Sequence, residues 1–192
     1  MPATALATAL RREADPAAVQ ARTGAEHWAR DCIGQHCGLR IVRVEMGDLS
    51  PADRQDFGML WSTGWQVMAL PGVAADVARA RTMAQVMVRP CLDVPGARAG
   101  MLRAMADVAL LVKVPGRVQA DPEPVLRAYL GAMAGYPALA CDCAIRSWPG
   151  AHDFWPAWPE LRRAIAERAA VLSEMAAALN RWIETEGARR GA

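Results

Sequence analysis

Cysteine and histidine are the side chains here best suited to metal binding or nucleophilic catalysis, and they gather in two places: Cys32, His36 and Cys37, then Cys141 and Cys143 far downstream. Zinc needs four thiolate or imidazole ligands in tetrahedral reach, usually as two short-spaced pairs. The spacings do not fit. Cys32 and Cys37 are separated by four residues, His36 adjoins Cys37, and Cys141 and Cys143 on a helix point about 200° apart. The expectation is no metal site, with the cysteines acting as small buried hydrophobes. A nucleophile would need a base held by a third group, drawn from His27, His36 or His152. No GxSxG elbow, phosphate-cradling GxxxxGK[ST] loop or dinucleotide-binding GxGxxG occurs. Asp15, Asp53, Asp121 and Glu160 stand at helix starts, where the helix dipole and unpaired N–H groups already account for them. The chain therefore reads as a non-enzyme with no catalytic residues.

The aromatic residues are a stronger signal. Trp148, Phe154, Trp155 and Trp158 fall within eleven residues, and Pro149, Pro156 and Pro159 constrain the backbone between them. Such rings can plug a helix junction. On a rigid turn beside Arg146, Arg162 and Arg163 they can also anchor a partner protein or stack on single-stranded bases. The expected partner-binding residues are Trp148, Phe154, Trp155, Trp158, Arg162 and Arg163.

Apolar residues make up 53% of the chain, enough for a real core, and alanine, methionine and leucine outnumber the β-branched types, which favours helix over sheet. The predicted fold class is all-α: a compact multi-helix domain with a long C-terminal helix and one short strand near residues 39–46. A net charge of +2 is too small for nucleic-acid binding by the whole chain, although Lys113 is the only lysine among the 22 basic residues. The arginine bias and the alanine content together match a GC-rich genome. No signal peptide or span of ~20 apolar residues is evident, so a soluble, cytoplasmic protein without membrane contact is expected. An odd count of five cysteines argues against a disulfide framework.

These elements must position the rings. Residues 3–31 suggest helix, with Leu6 and Leu10 one turn apart and a restart at Asp15-Pro16. The run Leu39 to Met46 has the β-branched enrichment of a strand, bracketed by Gly38 and Gly47. Ser50-Pro51 opens a further helix whose face carries Phe57, Leu60, Trp61, Trp65 and Met68, up to Pro71-Gly72. A helix over 73–88 carries Val73, Val77, Ala80, Ala84 and Met87; another carries Met101, Met105, Val108 and Val112. Asp121-Pro122-Glu123 caps the next, and Pro137 opens a short helix ending near Trp148. Pro159 starts the last helix, with a seam of Leu161, Ile165, Leu172, Met175, Leu179 and Trp182 broken once by Arg168 and ending at Gly187. The division expected is an N-terminal arm and linker over 1–47, a helical domain over 48–186 and a frayed tail over 187–192.

With these residues in place, the order Leu111-Val112-Lys113, Asp121 to Tyr129, Tyr136-Pro137, Ala144-Ile145-Arg146-Ser147-Trp148, and Phe154-Trp155-Pro156-Ala157-Trp158-Pro159-Glu160-Leu161 resembles small all-helical replication proteins of phages and prophages. Residues 70–182 carry the resemblance, and the elbow is its most specific part. Some members of that group look like non-ATPase loaders of the replicative helicase. The resemblance implies a cofactor-free replication accessory protein that binds a replicative (DnaB-type) helicase, brings it to single-stranded DNA and holds it inactive until handover. The chain departs from loaders in having neither an ATP-binding loop nor a long charged tail. Two other readings stand beside it: a single-stranded DNA-binding module, and a structural or regulatory oligomer joined through the last helix.

Overall fold

The computed structural model describes residues 24–43 and 64–191. The expectations for residues 3–23, for Val44 to Met46 and for the Ser50 helix with Phe57, Leu60 and Trp61 lie outside them. Among the described residues the protein is helix-dominated, with seven α-helices and a two-stranded antiparallel sheet. In chain order these are α1 (Gly24–Cys37), β1 (Leu39–Arg43), β2 (Trp65–Ala69), α2 (Val77–Val88), α3 (Ala97–Leu111), α4 (Gly116–Ala120), α5 (Pro122–Met133), α6 (Ala138–Ser147) and α7 (Trp158–Gly191). Short 3-10 turns occupy Cys91–Asp93 and Trp148–Gly150. No helix among the described residues is long and apolar enough to cross a membrane.

The chain divides into two compact units, one drawn from Glu26–Ala84 and Glu174–Ala192, the other from Gln85–Ser173. In the first, β1 and β2 pair from Leu39↔Ala69 to Arg43↔Trp65. Trp65 and Met68 thus belong to a strand, not to the helix face expected of them. Gly64, at φ +68, precedes the strand, and pairing with β1 satisfies the strand's backbone groups; the apolar run Trp65, Val67 suits a strand as well as a helix. Gly38 turns the chain from α1 into β1 at φ +65, and a Cβ there would lie 2.8 Å from the Ala74 carbonyl oxygen. That is too close for any side chain.

Helix α2 begins at Val77, later than expected, because Asp76 caps it: its Oδ1 accepts from the Arg79 N–H at 2.9 Å. Val73 is left outside, more than half exposed, while Ala80, Ala84 and Met87 are buried as the stripe required. In the second unit α3 packs chiefly on α6. Alanines at 104, 140 and 144 are buried between the larger Met101, Met105, Val108 and Ile145, which lets the helices approach closely. Helix α4 occupies a stretch expected to be a connection. Asp121 precedes α5 without a side-chain capping bond, so its expected capping role fails. Its backbone is at φ −146, ψ 88, and Pro124 at the third helical position lacks one of the N–H groups from which a capping side chain accepts.

Helix α7 starts one residue earlier than expected, at Trp158, and runs past Gly187 to Gly191. Glu160 and Leu161 both donate their N–H to the Ala157 carbonyl, which marks Ala157 as the start of the first turn. Leu161, Ile165, Leu172, Met175 and Leu179 are fully buried within the single chain. Each such burial is worth about 1.5–3 kcal/mol. The seam is therefore used inside the monomer, which removes it as the surface for the expected self-association. Ile183 rather than Trp182 is its buried last member. Arg168 interrupts the seam for a reason: one guanidinium nitrogen donates to the Ser147 hydroxyl at 2.8 Å and the other to the Ala164 carbonyl at 3.0 Å.

Candidate functional site

The elbow is built on a short parallel bridge between Lys113, just past α3, and Phe154. The Lys113 N–H donates to the Asp153 carbonyl at 2.7 Å, and the Trp155 N–H donates to the Lys113 carbonyl at 3.0 Å. These bonds hold residues 153–155 extended between the Trp148–Gly150 turn and α7, while Pro156 fixes the next step.

Held this way, the predicted residues separate by role. Trp148 faces inward, 4% exposed, and its indole N–H donates to the Phe154 carbonyl at 2.8 Å. The His152 ring stacks on it at 3.9 Å between centroids. Trp148 is thus a structural plug, and its place among the partner-binding residues is corrected. Trp158 is half-buried and meets the Tyr129 ring at 5.6 Å. The Tyr129 hydroxyl donates to the Pro156 carbonyl at 2.7 Å, tying α5 to the elbow. Burial raises the Tyr129 phenol above its ordinary range, against the opposing effects of the Trp155 indole and Arg117.

Phe154 points outward, 63% exposed, with the Lys113 ammonium 5.3 Å from its ring centre. Two residues before Lys113, the end of α3 presents Leu110 and Leu111 to solvent at 85% and 71% exposure. Arg162 and Arg163 are exposed in the early turns of α7, and no hydrogen bond or ion pair engages them among the described residues. Arg146, by contrast, is committed to Asp142 at 2.9 Å and to Asp107 at 3.8 Å.

Trp155 is half-buried and forms one wall of an apolar groove of about 360 Å³, with Met105, Val118, Pro122 and Leu126 among the other walls and Gln119 as its polar edge. The groove depends on α4, which the sequence pattern left unassigned. Leu110 had a legible signal: it falls opposite the Met101, Met105, Val108 stripe, whereas Leu111 lies on the flank of that stripe and its exposure was not legible from spacing.

The chemistry-bearing residues do not converge on the elbow. Among the described residues no group of three His, Cys, Asp or Glu side chains could hold a metal. His36 is exposed while Cys37 is buried beside it, and Cys32 is half-buried. Cys141 is fully buried and Cys143, on the other face of α6, is half-buried, its thiol pushed up to about 11 by burial and then by Asp142.

Among the described residues, fold and elbow together define a helix-dominated chain that exposes Phe154, Leu110 and Leu111 and leaves Arg162 and Arg163 unengaged. Comparison with protein-family models, with curated proteins and with solved structures finds no match to this chain.

Proposed function

We propose that the protein is a non-enzymatic docking protein whose elbow binds a macromolecular partner, and that the partner is a replicative (DnaB-type) helicase, as the resemblance of the elbow to phage-type helicase loaders implies. One observation carries the docking half: Phe154 is held out to solvent by backbone bonds, beside the exposed Leu110 and Leu111. A ring kept exposed by its own scaffold adds contact area to an interface at little ordering cost. Arg162 and Arg163 supply the cationic rim, and the Trp155 groove has room for an apolar side chain of the partner. In this reading the protein assists helicase loading without a cofactor.

Retention of a purified hexameric helicase on the immobilised protein tests both halves. Wild-type protein should hold it, and the combined Phe154→Ala, Arg162→Ala, Arg163→Ala variant should lose at least about tenfold in affinity while keeping its melting temperature. Undiminished retention by that variant overturns the residue assignment; no retention by the wild type overturns the helicase as partner. A second reading, single-stranded DNA binding, is favoured by the position of the two arginines near the positive end of the α7 dipole. It requires affinity for an oligothymidine that falls steeply with salt. Binding that salt leaves unchanged excludes it.

A further inference from the structure

Two cysteines separated by 50 residues in sequence bring their sulfurs to 3.6 Å: Cys91 in the 3-10 turn before α3, and Cys141 in α6. Their approach is set by backbone, not by loose side chains. The Cys91 N–H donates to the Tyr136 carbonyl at 2.9 Å, the Leu92 N–H to the Ala134 carbonyl at 3.2 Å, and the Ala138 N–H to the Arg89 carbonyl at 3.0 Å. Pro90 and Pro137 form a bridge between these bonds. The turn is stitched to the connection between α5 and α6, and the two thiols are carried together by the stitching. The Met101 sulfur, 3.8 Å from Cys91, closes a third side.

The two sulfurs differ in access. Cys141 is fully buried, whereas Cys91, itself only 8% exposed, lines a surface groove of about 350 Å³ together with Leu92, Arg98, Met101 and Arg127. The hydrogen bond with Cys91 and then burial raise the Cys141 thiol, while the hydrogen bond with Cys141 lowers that of Cys91, so Cys91 is the first of the two to ionise. A small oxidant entering the groove reaches Cys91 before Cys141.

We propose that Cys91 and Cys141 form a redox-active dithiol, closed by hydroperoxide into a disulfide that locks the Cys91–Asp93 turn to α6. The Cys91 thiolate attacks a peroxide oxygen; the O–O bond breaks, the leaving oxygen departs as water or alcohol after taking a proton, and Cys91 becomes a sulfenic acid. The Cys141 sulfur then attacks the Cys91 sulfur. The S–S bond forms, the S–O bond breaks, and the hydroxide leaves as water with the proton Cys141 gives up. Two thiol hydrogens and two electrons pass to the peroxide, and a thiol reductant restores the pair by exchange.

Treating the full chain with a few equivalents of hydrogen peroxide, alkylating the remaining thiols and mapping peptides without reductant tests the pair. The expected result is one cross-linked peptide joining Cys91 to Cys141, with Cys32, Cys37 and Cys143 alkylated. Closing the loop between them should raise Tm by roughly 5–10 °C, reversed by dithiothreitol. In Cys141→Ala, Cys91 should accumulate as a sulfenic acid that dimedone captures. Alkylation of both cysteines at that dose, a cross-link between any other pair, or a Cys141→Ala protein without a dimedone adduct at Cys91 overturns the proposal. If Cys141→Ala fails to fold, the wild-type peptide map decides. The helicase assay is independent of this outcome, since its variants touch neither cysteine.

Discussion

Around Trp65 on β2, arginines meet a buried tryptophan within a compact unit. The ring is fully buried, the Arg30 and Arg43 guanidinium groups stand 5.2 and 5.9 Å from its centre, and its indole N–H donates to Glu174 at 2.9 Å. Arg30 in turn pairs with Glu26 at 3.0 Å. At the elbow, the same residue types are sorted by the backbone instead. Trp148 goes in, Phe154 goes out, and Arg162 and Arg163 stay unengaged among the described residues. The contrast shows that a local surplus of tryptophan and arginine does not by itself signal binding; what separates the two regions is whether the cations and ring N–H groups already have partners within the chain.

That contrast can be broken most directly by truncating the inward rings. Trp65→Ala and Trp148→Ala should each cost about 3–5 kcal/mol in chemical denaturation, as buried aromatics do. A loss under about 1 kcal/mol at Trp148 would return that residue to the partner surface. Next in size is Gly38→Ala, which combines a left-handed backbone with a clash against the Ala74 carbonyl and should destabilise by about 2 kcal/mol or more. Folding without loss would mean that the α1 to β1 corner is looser than the structure has it.

Phe154→Ala should change stability by no more than about 0.5 kcal/mol while weakening partner binding, because an exposed ring has little to lose on folding. Equal losses in stability and binding would make Phe154 another inward ring in effect. The smallest effect concerns pH. Burial pushes the Cys143 thiol up to about 11, so the folded chain holds that proton more tightly than the unfolded one. Its contribution is intact below the ordinary thiol range and is lost as pH rises through about 11. Between about pH 8 and about pH 10.5 the wild type should therefore lose more stability than Cys143→Ala, read by urea denaturation. Parallel curves for the two would place Cys143 in solvent.

Much of the helical order was legible because it rests on local chemistry. The stripe through Ala80, Ala84 and Met87, the Met101, Met105, Val108 repeat, the Pro137 start and the seam from Leu161 to Leu179 all sit where periodicity and proline placement put them. The misses have two causes. Trp65 and Met68 fit a helix face until the distant β1 offers backbone pairing, whereas Asp121 stands where a cap belongs without making the bond because of the prolines that follow it. At the candidate site the sequence identified the elbow and the exposed arginines. It did not show that Trp148 is turned inward by the Phe154 carbonyl, nor that α4 completes a groove under Trp155.

Sequence alone determined the helix-rich character, the proline-set elbow and the absence of familiar phosphate-binding or hydrolase motifs, since each depends on residues within a turn or two of one another. Tertiary structure decided which rings face solvent, that the α7 seam is consumed within the monomer, and that Cys91 meets Cys141. The physical reason is sequence distance: backbone hydrogen bonds and burial pair residues tens of positions apart, and no local pattern records which of several chemically similar partners will be chosen.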